Sequence, residues 1–178
     1  MEIKRDRYLD KIISFMWDGQ VKVMTGLHGS GKTYLLFELF KTYLLKEGVP
    51  EDHILRFHLD SIQDRHYRNP LHLATKIRSI VEGSHTPYYL FVDEIQMSDV
   101  VPNPYNPEGK KITFYDALND LNSLVNLDIY VTGNNSKMLS SDILTEFRGR
   151  SDEIRVHPPH VFLNWFLDQS SKANRSDQ

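Results

Sequence analysis

A chain of 178 residues has room for one α/β core and little else. With no cysteine, no cleavable apolar leader and no apolar run approaching a membrane span, it reads as a soluble protein of the reducing cytoplasm rather than a disulfide scaffold or a membrane protein. Lysine and arginine total 21 against 24 aspartates and glutamates, a net charge of −3, which argues against a broad nucleic-acid surface and leaves room only for a small local basic patch.

Residues 8–17 carry apolar side chains at 9, 12, 13 and 16, the spacing of one helical face, and predict an amphipathic first helix. The apolar run 21–25 predicts the first strand. Gly26-Leu27-His28-Gly29-Ser30-Gly31-Lys32-Thr33 follows it directly, and apolar pairs at 35/36, 39/40 and 43/44 then predict a helix that Gly48-Val49-Pro50 stops. A glycine-rich turn between a strand and a helix has a specific use. Its glycines let the backbone curl and point N–H groups inward around a β-phosphate, where the positive end of the helix favours the same anion. Lys32 reaches the β- and γ-phosphates, and the Thr33 hydroxyl is placed to coordinate Mg²⁺. The candidate nucleotide-binding set is therefore Gly26, Leu27, His28, Gly29, Ser30, Gly31, Lys32, Thr33 and Tyr34. His28 stands at a freely variable position of the loop and reads as a surface or adenine-side contact rather than a proton-transfer group.

Strand two is expected over 54–59, ending at Asp60, and a helix over 71–81 with apolar residues at 73, 77, 80 and 81, closed by Gly83 and Pro87. Residues 88–92 are an unbroken apolar run, the pattern of a parallel strand buried on both faces. It delivers Asp93 and Glu94 at its C-terminal end, where open α/β sheets bind ligands. Asp93 is the expected holder of the Mg²⁺ shell together with Thr33. Glu94 points from the next position toward the γ-phosphate, where a carboxylate orients and activates the attacking water. The stretch 98–111, with three prolines and no periodicity, predicts a long surface loop.

A helix follows over 114–125, strand four over 128–132, a helix over 136–147 and strand five over 153–157. Strands alternating with helices at these lengths specify a parallel sheet covered on both faces. Strand four runs into Thr132-Gly133-Asn134-Asn135-Ser136. Asn134 there is a candidate to hold the attacking water or touch the γ-phosphate, while Asn135 or Ser136 equally suits capping of the next helix. Arg148 and Arg150 are candidates to offset charge on the transferring phosphoryl group, in cis or from a neighbouring molecule; a surface pair flanking a C-capping Gly149 is the competing account. His157-Pro-Pro-His160 lacks a cysteine or a well-spaced acidic partner and is not expected to bind zinc.

Three runs, KVMTGLHGSGKTYLLFELFKTYLL from Lys22, YLFVDEI from Tyr89 and DIYVTGNNSKMLSSDILTEFRGR from Asp128, together resemble the prokaryotic AAA-type ATPases. In those proteins an N-terminal ATPase domain is commonly followed by a nuclease-like C-terminal domain. The resemblance spans about residues 1–167. It implies an α/β P-loop NTPase with a five-stranded parallel sheet of order 5-1-4-3-2, ATP and Mg²⁺ as ligands, Lys32 and Thr33 in the Walker A motif, and Asp93 and Glu94 in Walker B. It further makes the cluster around Asn134 a sensor and Arg148/Arg150 a finger-like region, served by self-association or by an activating protein. The family pattern continues into a helical lid, whereas here only the polar stretch 168–178 follows Trp165-Phe166-Leu167; we expect a lid-less core over 1–167 and a disordered tail over 168–178.

The expected activity is Mg²⁺-dependent ATP hydrolysis, slow in isolation. Two other functions fit the residues: a small-molecule kinase, with Asp60, Arg65 and Arg68 near its acceptor, or a nucleotide-controlled binding module that exposes Phe162, Trp165 and Phe166 to a partner. The Asp93-Glu94 pair favours the ATPase, because an activated water is wasteful to a kinase. No Asn-Lys-x-Asp motif is present to read guanine.

Overall fold

Four strands rich in apolar residues and a fifth, more polar one pair side by side as one parallel sheet. The computed structural model describes residues 3–134 and 151–157. In chain order these hold α1 (Ile3–Ser14), β1 (Val21–Gly26) and α2 (Lys32–Tyr34), which continues through a π-helical segment, Leu35–Phe40, into α3 (Lys41–Lys46). Then come β2 (Ile54–His58), a 3₁₀ turn at Arg65–Arg68, α4 (Pro70–Val81), β3 (Tyr88–Asp93), a 3₁₀ turn at Ile95–Met97, α5 (Phe114–Leu121), β4 (Leu127–Asn134) and β5 (Ser151–Arg155). The strand order is β2-β3-β4-β1-β5 and every pairing is parallel, which is the 5-1-4-3-2 order of a P-loop NTPase. Among the described residues there is no helical lid.

Alternation along the central strands divides the core between the two faces of the sheet. On one face Val21, Val23, Leu90, Val92, Ile129 and Val131 pack against Leu73 and Ile77 of α4 and Leu118 and Leu121 of α5. On the other, Met24, Phe91, Tyr130 and Ile154 meet Leu36, Phe40 and Leu44 of the helix after the glycine-rich turn, with Ile12 of α1. Helices thus cover both sides, as alternation of the elements predicts.

Several boundaries differ from the sequence expectation, each for a tertiary reason. The helix expected over 114–125 starts as predicted, on a Thr113 capping box with Asp116, but stops at Leu121 and leaves Val125 exposed. Helix cannot continue there because Asn126 is needed elsewhere. Its side-chain amide donates to the carbonyls of Val81, Ser84 and Thr86 at 2.9–3.2 Å, and its own carbonyl accepts from Tyr88 N–H at 2.8 Å, fixing the starts of β3 and β4 together. The first helix lies earlier than 8–17 and gives way to turns before Trp17, which adopts a left-handed φ of 58°. The stretch 98–111 is tied at its base by an antiparallel bridge between Val101 and Ile112, a pairing without a periodic signal. Strand β5 begins at Ser151, and Val156 N–H donates to Thr25 O at 2.7 Å to continue the ladder past its end. The helix expected over 136–147, with Asn135, Ser136, Arg148 and Arg150, and everything from 158 onward lie outside the described residues.

At the N-terminal ends of the strands, away from the glycine-rich turn, a fully buried ammonium joins three segments. Lys22 Nζ lies 2.5 Å from Asp128 Oδ1 and 2.8 Å from Asp18 Oδ1, donates to Gln20 O at 2.9 Å, and sits 5.3 Å from the centre of the Tyr130 ring. Asp128 Oδ2 accepts from Trp17 N–H at 3.0 Å and from the Tyr130 hydroxyl at 2.6 Å. Trp17 Nε1–H in turn donates to the Tyr89 hydroxyl at 3.0 Å. Burial, reinforced by the Asp128 charge, pushes the Tyr130 phenol far above its usual range, so it stays a donor.

Candidate nucleotide-binding site

The loop between β1 and α2 is shaped by what a side chain would strike. A Cβ on Gly26 would stand 2.3 Å from the Val156 carbonyl oxygen and 2.8 Å from Ser30 Oγ, so β1 can end between β4 and the residue after β5 only as glycine. Gly31, at φ 90°, turns the chain through the left-handed region directly into the first turn of α2. Ser30 N–H donates to Leu27 O at 3.1 Å, and Leu35 N–H to Gly31 O at 2.9 Å. Ser30 Oγ is buried with no hydrogen-bond partner among the described residues. Leu27, His28 and Gly29 form the exposed rim, with Tyr34 exposed on the helix.

Lys32 is buried, and its ammonium donates to the carbonyls of Gly26 and Leu27, each at 3.0 Å, closing the loop upon itself. Burial pushes the Lys32 ammonium below the usual lysine range, while the neighbouring Glu94 and Asp93 carboxylates oppose that shift. One residue on, Thr33 Oγ1 donates to Asp93 at 3.1 and 3.0 Å from its two carboxylate oxygens. The loop and the end of β3, widely separated in sequence, therefore meet through the two side chains expected to share a metal. A hydroxyl and a buried carboxylate, both hard oxygen donors, fit Mg²⁺ in kind.

Glu94 leaves the strand in a left-handed conformation, φ 58° and ψ 51°, a cost that a non-glycine residue bears only where its surroundings hold it. The holding group is Thr132. Its hydroxyl donates to Asp93 Oδ1 and its Oγ1 accepts from Glu94 N–H at 3.1 Å. Gln96 completes the frame: its amide donates to Glu94 Oε2, and its Oε1 accepts from the backbone N–H of Asn134 at 3.3 Å. Asn134 lies at the end of β4, paired in register with Gly26.

Three residues here escaped sequence reasoning. Thr132 was visible only as one of several short polar residues ending strand four, Gln96 had no signal beyond following Glu94 by two, and His58, 3.4 Å from Asp93 through Nδ1, had none until β2 and β3 were paired. Asp60, Arg65 and Arg68, the residues of the kinase reading, follow β2; Arg68 Nε donates to Leu59 O at 2.5 Å, which commits that side chain to the loop backbone. Thr132→Val should cost about 1–3 kcal/mol by leaving the part-buried Glu94 N–H unpaired and removing a donor from the buried Asp93 carboxylate. Urea denaturation, with circular dichroism as the signal, measures that loss; a change below about 0.5 kcal/mol would mean that Thr132 does not brace the turn.

Fold and site define a P-loop NTPase. The description of an AAA domain matches residues 18–161, and the chain belongs to that family. AAA domains typically bind and hydrolyse nucleotide with Mg²⁺. An uncharacterized protein of Haemophilus influenzae is 29% identical over 156 residues, covering 88% of this chain and 36% of its own length. Another from Methanocaldococcus jannaschii is 28% identical over 143 residues, covering 78% of this chain and 26% of its own. The chain thus spans about a third and about a quarter of these relatives. Among solved structures, a DNA polymerase III gamma subunit-related protein from Thermotoga maritima superposes with a TM-score of 0.57 at 13% identity, over 88% of this chain and 47% of that one, a likeness of fold. No helix among the described residues is long and apolar enough to cross a membrane.

Proposed function

We propose that the chain hydrolyses ATP in a Mg²⁺-dependent reaction, carried by a core over residues 1–167. The observation that supports this most strongly is the convergence of Lys32, Thr33, Asp93 and Glu94 at the C-terminal edge of the sheet. The backbone N–H groups from Gly26 to Tyr34 cradle the phosphates, and Lys32 exchanges the Gly26 and Leu27 carbonyls for phosphate oxygens. Thr33 and Asp93 hold Mg²⁺, which supplies charge neutralisation at the phosphates when bound. Glu94, oriented by Gln96 and by the Thr132-braced turn, accepts a proton from the attacking water. Asn134, at the end of β4, is our candidate to contact that water or the γ-phosphate. Calorimetric titration with ATP, with and without Mg²⁺, alongside phosphate release without any added acceptor, tests the reading. Turnover that appears only when a nucleoside or metabolite is supplied would replace it with a kinase, and Mg²⁺-dependent binding without turnover would make the chain a nucleotide-controlled binding module.

Arg148 and Arg150, in cis or reaching over from a second copy of the chain, supply the remaining positive charge, with an arginine of an activating protein as the other source. Specific activity should then rise with protein concentration, and Arg150→Ala should lower it on the order of 10³-fold while assembly persists. Steady-state assays over a dilution series, paired with light scattering, make the measurement. Activity that is independent of concentration and indifferent to both arginines would reject this role.

A further inference from the structure

The end of β2 carries a group that ATP hydrolysis does not require. His58 is the last residue of β2 and lies in register with Asp93 of β3, so the two side chains leave neighbouring parallel strands on the same side of the sheet. Leu59 N–H donates to Asp93 O at 3.2 Å, prolonging the pairing one residue beyond the strand and bringing Asp60 to the same edge. The loop is then turned back by three bonds: Ser61 N–H to His58 O at 2.9 Å, His58 N–H to Asp64 Oδ2 at 2.8 Å, and Asp64 N–H to Ser61 Oγ at 3.1 Å. The imidazole is packed against Phe37, ring centres 4.1 Å apart, with Nδ1 facing Asp93 Oδ2.

We propose that His58, Asp60 and Asp93 form a binding site for a divalent transition-metal ion of the Mn²⁺, Co²⁺ or Zn²⁺ class. One ligand atom from each of the three lies within 4.8 Å of the other two. The His58 to Asp93 separation, 3.4 Å, is long for a hydrogen bond but suits two ligands on one ion. Bonds of about 2.1 Å place neighbouring ligands about 3.0 Å apart in octahedral and about 3.4 Å apart in tetrahedral geometry. The donor set selects the metal class. Mg²⁺ takes oxygen and retains its waters, whereas an imidazole nitrogen beside two carboxylates suits ions later in the first transition row. The Lys32 ammonium is engaged by the loop carbonyls and does not fill the place. Asp93 is common to this site and to the proposed Mg²⁺ position, so competition between the two ions rests on the reading above; binding of the transition metal itself does not.

The test uses the full chain free of nucleotide. Titration with Co²⁺, followed by its visible absorption, should give one saturable site. Mn²⁺ should show nitrogen coupling in its electron paramagnetic resonance spectrum. His58→Ala should weaken Co²⁺ binding by about 10-fold or more and abolish the nitrogen coupling, and Asp60→Asn should weaken binding in the same direction, with circular dichroism unchanged in both. His72→Ala, which opens the exposed stacked pair of His66 and His72, should leave the titration as it was. Absence of saturable binding, binding indifferent to His58→Ala and Asp60→Asn, or a signal lost in His72→Ala would overturn the site. A separate titration with Mg²⁺ and ATP distinguishes this failure from failure of the nucleotide reading.

Discussion

Glu94→Gln is expected to leave ATP affinity and Mg²⁺ dependence largely in place while slowing single-turnover cleavage by about 10²-fold or more, the scale of a lost general base. The substitution keeps the shape of the side chain and its capacity to accept from the Gln96 amide. It removes only the charge that draws a proton from water. Lys32→Ala acts on the other half of the problem. It deletes a buried cation that closes the loop by bonding the Gly26 and Leu27 carbonyls, and both phosphate contacts should go with it, so affinity itself falls. Measuring nucleotide affinity and single-turnover cleavage on both variants separates the roles. Equal loss of affinity in the two would make Glu94 a structural residue.

The largest change in stability should come from the opposite end of the sheet. Lys22→Met removes the ammonium from a fully buried pair and strands the Asp128 carboxylate with two neutral donors, Trp17 N–H and the Tyr130 hydroxyl. Breaking one side of such a pair costs about 3–5 kcal/mol. For a chain of this length that corresponds to a melting temperature lower by about 6–20 °C. The double variant Lys22→Met/Asp128→Leu should recover much of the loss, because no uncompensated charge is left inside. Thermal unfolding by circular dichroism reads both. A single variant that melts within about 2 °C of the parent would show that the pair is not desolvated in the way the structure implies.

How much of this was legible beforehand depends on whether a residue's role is local. The glycine-rich loop announced itself because its signal is contiguous: Gly26, Gly31, Lys32 and Thr33 lie within one short stretch of chain, and the residue types follow from backbone conformation and from the phosphate binding proposed for them. Asp93 and Glu94 were legible for a similar reason, since an unbroken apolar run ending in two carboxylates can be recognised in one dimension. Thr132, Gln96 and His58 were not, because each acquires its role only through a partner on another strand or turn. The Lys22–Asp128 pair was hidden in the same way, as a lysine inside an apolar strand has no visible counterion 106 residues away.

By itself, then, the sequence determined the types of the main elements among the described residues, the loop and the two carboxylates that end β3, because hydrophobic period and turn chemistry act over a few residues. The strand order came from the family resemblance, not from any local pattern. Only the tertiary structure decided where α5 must stop, why Gly26 admits no side chain, and which hydroxyl braces Glu94, since each is a contact between segments whose spacing in the chain says nothing of their distance in space.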